Sequence, residues 1–550
     1  MTDVEELPTY PGAQRPDRTR TVSNRGLGLA VHEWGDADGP PLLLAHGGFD
    51  FAGTYDVFAP LLARAGWRVV CWDQRGHGDS DRAVVYSWES DVRDALAVLD
   101  STTRQPVPII GHSKGGSVLL QLADAFPHRC SKVVNIDGLP TGRNQPDVAD
   151  HERTKLIAGE LAGWLDHRAA TFEKQRRPGT LDELANRRRR MNPRLSIEWL
   201  RYLVTVGGRR DDDGWRWKID PALRMGGFGP WRPEWSMMRI ANLSMPVLGL
   251  LAGENELMGW GTLPEDVLPV LPAQGRVEQL EGVGHFLHIE QPERVAELVL
   301  DFLGDPPAAG SWGPTSAGTP APPVAARPDL DGSPSVRFLQ HNRSRLALHE
   351  LRGGEGRPLL HLHGLGERSP ATLPEAFAAW PGPVHALDFT GHGDSTVPLG
   401  GGYSCEILMA DADTAVRALG DEVTVFGRGL GAYIALLLAG ARPAAVRGAI
   451  LADGSGLQGA GNGPGSPMVA MADGEAVAPP DPYVIAELSR DIRPADYATT
   501  FARLALQAAV VDQPILVTGA NRPDWLEAVV REPGVVVTSL LDALARAAAA

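Results

Sequence analysis

The chain of 550 residues holds only three cysteines, Cys71, Cys130 and Cys405, none in Cys-x-x-Cys spacing, which excludes a disulfide framework and a thiolate metal site. It also lacks any apolar run approaching the length of a membrane span. The first residues, Met1 to Glu6, are acidic and carry no apolar segment of the kind a secretory leader needs. A cytoplasmic protein without a transmembrane segment is expected. Positive charge is in deficit, with 52 Lys and Arg against 68 Asp and Glu and a formal charge of −16. That balance argues against nucleic acid or an anionic membrane as partner. No cofactor and no metal is expected.

What is present is globular in balance, with 43% hydrophobic and 22% charged residues in a chain long enough for two domains. Residues 1–22, with Pro8, Pro11 and Pro16, read as a flexible arm. Strand and helix patterns then alternate: strands near Leu27–Trp34 and Pro41–Ala45, a helix from about Tyr55 to Ala65, a strand Arg68–Asp73, a helix near Ser87–Leu99, and strands at Pro106–Ile110 and Lys132–Asp137. Such alternation predicts an α/β domain, a mostly parallel sheet with helices on both faces, whose ligands sit at the C-terminal strand ends. His46-Gly47-Gly48, Asp73 and Ser113 all fall at such ends.

From about 140 to 244 the alternation stops. This stretch is rich in Arg and Trp, with helical periodicity over Thr180–Val206, and reads as a helical lid. Arg187 to Arg190 read as a solvated helix face, and Trp164, Trp199, Trp215, Trp217, Trp231 and Trp235 as lid packing. The strand pattern returns at Met245–Ala252 and Arg276–Leu280, and a helix over Pro292–Leu303 closes a first domain of residues 23–303.

The central motif is Gly111-His112-Ser113-Lys114-Gly115, set between an apolar strand and an apolar helix. The glycines two positions either side of Ser113 permit a sharp turn that lifts its hydroxyl above the sheet edge. A serine hydroxyl is a poor nucleophile until an imidazole takes its proton, and the imidazole needs a carboxylate to fix its tautomer.

Residues 304–335, dense in Pro, Ala and Gly, read as a linker. Beyond it the motifs recur. His363-Gly364, Asp388 to Ser395 and Gly427-Arg428-Gly429-Leu430-Gly431 follow their first-half counterparts at offsets of 315 to 317 residues, which predicts an internal duplication of the fold over 336–550. The second copy has Gly429 in place of the serine, no histidine after His392, Arg522 where the first copy has Glu256, and a lid about 50 residues shorter. It is expected to be inert, a scaffold or a surface for a protein partner or self-association.

Residues 22–303 resemble the Ser-His-acid α/β-hydrolases through His46-Gly47-Gly48, Asp73 to Ser80, Gly111 to Gly115 and Gly282-Val283-Gly284-His285. The resemblance implies Ser113 as nucleophile and His285 as base; His288, the local competitor, reads as packing. The resemblance also implies backbone N–H groups of Gly48 and Lys114 as the oxyanion hole, and Asp73 to Ser80 as a structural turn. For the acid, Glu256 is the first choice, at the fourth position of Gly-x-x-Glu. Asp137 is the second and Glu254 the third. Epoxide hydrolases and haloalkane dehalogenases of this fold use an Asp nucleophile, so Ser113 points to acyl transfer from a small carboxylic ester. Thioesterase, amidase, carbon–carbon bond hydrolase and perhydrolase activities share the plan. The rival from another class is a non-catalytic protein that binds a ligand or partner.

Overall fold

Among the described residues, each half of the chain builds an eight-stranded sheet. The computed structural model describes residues 7–141, 150–170, 174–223, 233–307, 312, 335–420, 422–461, 481 and 483–550. The first half supplies β1 (Arg18–Asn24), β2 (Leu27–Trp34), β3 (Pro41–Ala45), β4 (Arg68–Trp72), β5 (Val107–His112) and β6 (Cys130–Ile136). A separate hairpin of β7 (Gly208–Asp211) and β8 (Gly214–Trp217) follows, then β9 (Val247–Ala252) and β10 (Arg276–Leu280). The sheet runs β1-β2-β4-β3-β5-β6-β9-β10, antiparallel at β1/β2 and β2/β4 and parallel from β4 onward.

The second half supplies β11 (Val336–His341), β12 (Ser344–Arg352), β13 (Leu359–Leu362), β14 (Val384–Leu387), β15 (Val423–Arg428), β16 (Val446–Ala452), β17 (Ile515–Val517) and β18 (Val536–Val537). These pair as β11-β12-β14-β13-β15-β16-β17-β18, the same order again.

The central strands are unbroken apolar runs because both faces are covered: every residue of β3 and β5 is buried. On one face of the first sheet, Leu42, Leu44, Val69, Ile110, Val134 and Leu248 pack against Phe58 and Leu62 of one helix and Val295 and Val299 of another. Each such side chain contributes roughly 1.5–3 kcal/mol by leaving water.

By compactness the chain divides into two units, one from 1–146, 175–223 and 231–321, the other from 147–174, 224–230 and 322–550. The stretch expected as a single lid is thus shared out. The helix Asp150–Ala170 belongs to the second unit, where Leu161, Trp164 and Leu165 are buried and Asp166 bonds to Arg442 at 2.7 Å and also to Arg417. In the first unit, the helices Leu181–Arg189 and Ile197–Gly207 pack Leu184, Trp199 and Leu203 against Phe51, Phe286 and Ile289. The linker lies almost wholly outside the described residues, as does Trp231.

Two further expectations change. Residues 7–22 are not a loose arm: β1 begins at Arg18, the Gln14 amide donates to Asp56 O at 2.7 Å, and Trp34 Nε1 donates to Gln14 O at 3.0 Å. A cluster of prolines here marks an extended path and not freedom. The Arg187–Arg190 run is not a purely solvated face either. Arg188 turns inward, its side chain 11% exposed, and donates to Phe49 O at 2.6 Å, while Arg187 caps Arg177 O and Pro178 O.

Candidate active site

Ser113 sits between β5 and the helix Lys114–Ala125 with φ 51° and ψ −122°, the left-handed conformation a nucleophile elbow requires. The flanking glycines are obligatory. A Cβ at Gly111 would stand 2.5 Å from Gly115 O, and one at Gly115 would stand 2.3 Å from Ala45 O. The Ser113 amide donates to Ile136 O at 3.0 Å, and its hydroxyl does not cap the helix that follows.

His285 follows β10 in a loop and is 2% exposed. Its Nδ1 lies 2.6 Å from Asp137 Oδ2. Asp137 directly follows β6 with φ 44°, and its other oxygen accepts the Ala252 amide at 3.1 Å. The carboxylate expected opposite the imidazole, Glu256, is elsewhere. Its Oε2 accepts the backbone N–H of His285 at 2.7 Å, so Glu256 grips the loop and not the ring. Strands β6 and β9 are parallel neighbours, so both of their C-terminal ends border the site. Asp137, with its left-handed backbone, is the residue that meets Nδ1, and Glu256 meets the backbone instead. Glu254 is exposed.

His112 links the elbow to the histidine loop. Its ring centroid lies 4.7 Å from that of His285, and its Nε2 is 2.9 Å from His285 O. Burial, and then the imidazoles of His288 and His285, push its pKa well below the ordinary histidine value. It is therefore neutral, with Nε2 the donor, because a carbonyl can only accept. His288 is held near pKa 3 by burial and by His285, and packs on Tyr55 as expected of a core side chain. Among the described residues no hydrogen bond joins the Ser113 hydroxyl to His285. Such bonds commonly tighten only around substrate.

The loop after β3 carries Gly48, whose missing side chain faces Lys114: a Cβ there would lie 3.6 Å from Lys114 Cδ. Several bonds set this loop. Gln74 Nε2 donates to His46 O at 2.5 Å, His46 Nε2 accepts the Gln74 amide at 2.9 Å, and His77 Nε2 accepts the Phe49 amide at 3.2 Å. Phe49 is itself left-handed, at φ 59°, and Arg188 holds its carbonyl. Lys114 Nζ is 2.6 Å from Asp91 and 3.0 Å from Gln74 Oε1. Beneath, Asp73 accepts the amides of Ala52 and Asp79 and pairs with His32 at 3.1 Å. Burial acts to raise its pKa, but the His32 bond and charge prevail and hold it at about 2.

Sequence reasoning missed Arg188, whose lone signal was its place in a basic run, and it ranked Asp137 second although Asp137-Gly138 directly follows a strand. It also passed over Asn135, Ser117 and Thr262. Asn135 Oδ1 accepts the Gly138 amide at 2.8 Å, Ser117 Oγ donates to Gly138 O at 3.2 Å, and Thr262 Oγ1 donates to Leu139 O at 2.5 Å.

Residues 40–292 match the family model for the alpha/beta hydrolase fold. A serine hydrolase-like protein of Danio rerio is 27% identical over 281 residues, which cover 49% of this chain and 83% of that protein. The sn-1-specific diacylglycerol lipase ABHD11 of Mus musculus is 25% identical over 274 residues, 49% of this chain and 82% of that protein. Epoxide hydrolase B of Mycobacterium tuberculosis is 37% identical over 331 residues, 49% of this chain and 92% of that protein.

Proposed function

The chain belongs to the α/β-hydrolase fold family, and we propose that its first unit cleaves a small-molecule carboxylic ester through an acyl-enzyme on Ser113. His285 Nε2 takes the Ser113 proton as Oγ attacks the ester carbonyl. Asp137 on Nδ1 keeps the imidazole in the tautomer that leaves Nε2 basic, and it stabilises the imidazolium that forms. The Gly48 and Lys114 amides receive the developing oxyanion. His285 then returns its proton to the leaving alkoxide, and water repeats the sequence on the acyl-enzyme. The observation that carries this reading is the 2.6 Å contact between His285 Nδ1 and Asp137, two buried groups beside a strained serine.

Glu256 supports the base from behind, through the backbone of His285. An epoxide hydrolase is among the relatives, but the serine at the elbow favours acyl transfer, since epoxide opening on this fold uses an aspartate there. Thioesterase, amidase, carbon–carbon bond hydrolase and perhydrolase chemistry would draw on the same three side chains. The second unit is read as inert. Gly429 repeats the elbow conformation at φ 57° and ψ −121° without a nucleophile, and β18 passes through Thr538 and Ser539 straight into the last helix, with no loop like the one that bears His285. Among the described residues no helix is long and apolar enough to cross a membrane. We read the protein as a cytoplasmic enzyme without a cofactor.

The test is hydrolysis of short and medium p-nitrophenyl esters by the full chain and by Ser113→Ala, with a fluorophosphonate label on Ser113. Activity abolished in the variant, and a label that maps to Ser113, are expected. A Ser113→Ala variant as active as the parent would refute the mechanism, and a chain that neither labels nor turns over any ester would favour the non-catalytic binding protein.

A further inference from the structure

The two units differ at one loop in a way that bears on how the site of the first stays open. In β5 and β6 the register sets Gly111 beside Asn135 and His112 beside Ile136. In β15 and β16 it sets Gly427 beside Leu451 and Arg428 beside Ala452. The elbow amides agree, Ser113 donating to Ile136 O and Gly429 to Ala452 O, each at 3.0 Å. Asp453, Gly454 and Ser455 therefore stand where the first unit has Asp137, Gly138 and Leu139. Leu365 and Leu430 likewise stand where it has Gly48 and Lys114.

In the second unit the amides of Leu365 and Leu430 both donate to Ser455 O, each at 2.9 Å. Two amides meeting on one oxygen is the arrangement an oxyanion hole offers to substrate. Here the chain's own carbonyl occupies it. A Cβ at Gly429 would stand 2.1 Å from that same oxygen, so the glycine and the plug belong together. Trp525 Nε1 and Arg493 Nη1 hold the plugging loop by Leu457 O, at 2.8 and 2.7 Å.

The first unit sends the matching carbonyl elsewhere. Leu139 O accepts from Thr262 Oγ1, and Gly138 is held by Asn135 at its amide and by Ser117 at its carbonyl. Among the described residues, none of the three has a working counterpart in the second unit. Asn135 corresponds to Leu451. Ser117 corresponds to Tyr433, whose buried hydroxyl has no hydrogen-bond partner among the described residues. The segment 257–263 that brings Thr262 is missing, since Gly519 to Arg522 passes directly to Pro523 and the helix Asp524–Val530, where Gly253 to Glu256 is followed by those residues before the helix Pro264–Val267.

We propose, on the reading of Gly48 and Lys114 as oxyanion donors, that Thr262, Ser117 and Asn135 are positioning residues that hold the loop after β6 out of the hole. A buried carbonyl must find a donor. Thr262 supplies one away from the site, and without it the two oxyanion amides are the donors that the second unit shows this loop can take. The first unit is open because this loop is tied back, and the second is closed because its ties are gone.

The experiment uses the full chain with Thr262→Val, Ser117→Ala and the double variant, read by ester hydrolysis and by the rate of Ser113 phosphonylation. A plug that competes with substrate reduces the fraction of competent enzyme. KM therefore rises while kcat, reached once substrate has displaced the plug, stays within about twofold. Loss of buried hydrogen bonds of this kind shifts such a balance about tenfold, so the double variant is expected to raise KM and slow phosphonylation by about that factor, and Thr262→Ser to restore both. A folded double variant with the parent's KM and phosphonylation rate would overturn the proposal, as would a fall in kcat at unchanged KM, the mark of a distorted triad. If Thr262→Val melts below the assay temperature, Ser117→Ala alone is held to the same criteria. Undiminished turnover by Ser113→Ala would overturn the underlying serine mechanism, a different failure from an intact serine enzyme indifferent to Thr262.

Discussion

Asp137→Asn is the sharpest perturbation of the site, because the structure dictates which way the new amide points. Ala252 N donates to Asp137 Oδ1 at 3.1 Å and His285 Nδ1 lies on Oδ2 at 2.6 Å. An asparagine must keep its oxygen toward the Ala252 amide, which turns its NH2 toward Nδ1. The imidazole can then only accept at Nδ1, so its proton moves to Nε2, the atom that should take the proton of Ser113. The wrong tautomer is expected to lower kcat by about 10⁴-fold near neutral pH, about 5.5 kcal/mol of barrier. Glu256→Gln is the control. Its oxygen still accepts the His285 amide at 2.7 Å, and only the charge assistance is lost, so a fall within about tenfold is expected. The assay is kcat on p-nitrophenyl acetate, with thermal melts showing both variants folded. A larger loss in Glu256→Gln than in Asp137→Asn would refute this assignment and return the acid role to Glu256.

Two further outcomes can be checked. Gly429→Ser places a Cβ against Ser455 O at a left-handed position, so it is expected to destabilise the second unit by about 1–3 kcal/mol in denaturant melts and to create no fluorophosphonate label; a labelled residue 429 would refute the closed-site account. Burial acts to raise the pKa of Glu33, but hydrogen bonds from Arg68 and Arg20 hold it down, from 4.5 to about 2. A depressed carboxylate stabilises the folded state above its unfolded pKa and loses that contribution as pH falls through its folded pKa. Glu33→Gln is therefore expected to be less stable at neutral pH and to show a shallower loss of stability between pH 4.5 and 2; a parallel acid limb would refute it.

The elements that border the site were legible because their signals are local. Strand β5, the turn at Ser113 and the helix after it follow from an apolar run, two glycines and an apolar helix face, all within Val107–Ala125. The closing helix Pro292–Leu303 has the bounds expected, with Pro at its first position and Gly304 beyond its end. The acid was not legible. Asp137 directly follows β6 and Glu256 lies in the loop after its parallel neighbour β9, so both reach His285, and which one meets the imidazole depends on how two loops pack, which no local pattern encodes. The lid was drawn as one piece because Arg-rich and Trp-rich helices look alike along a chain. Which unit buries Trp164, and which buries Trp199, depends on partners far away in sequence.

By itself, then, the sequence determined the alternation of strand and helix, its repetition in the second half, the strained serine, and the histidine set in glycines. Each is encoded in short-range periodicity or in a glycine without which the backbone could not turn. Tertiary structure alone decided that Asp137 meets the imidazole, that Gln14 ties the N-terminal segment down, and that Thr262 draws the Leu139 carbonyl one way while Ser455 turns the other. Those outcomes depend on which donor a buried oxygen finds, and the donors come from segments as much as 148 residues away along the chain.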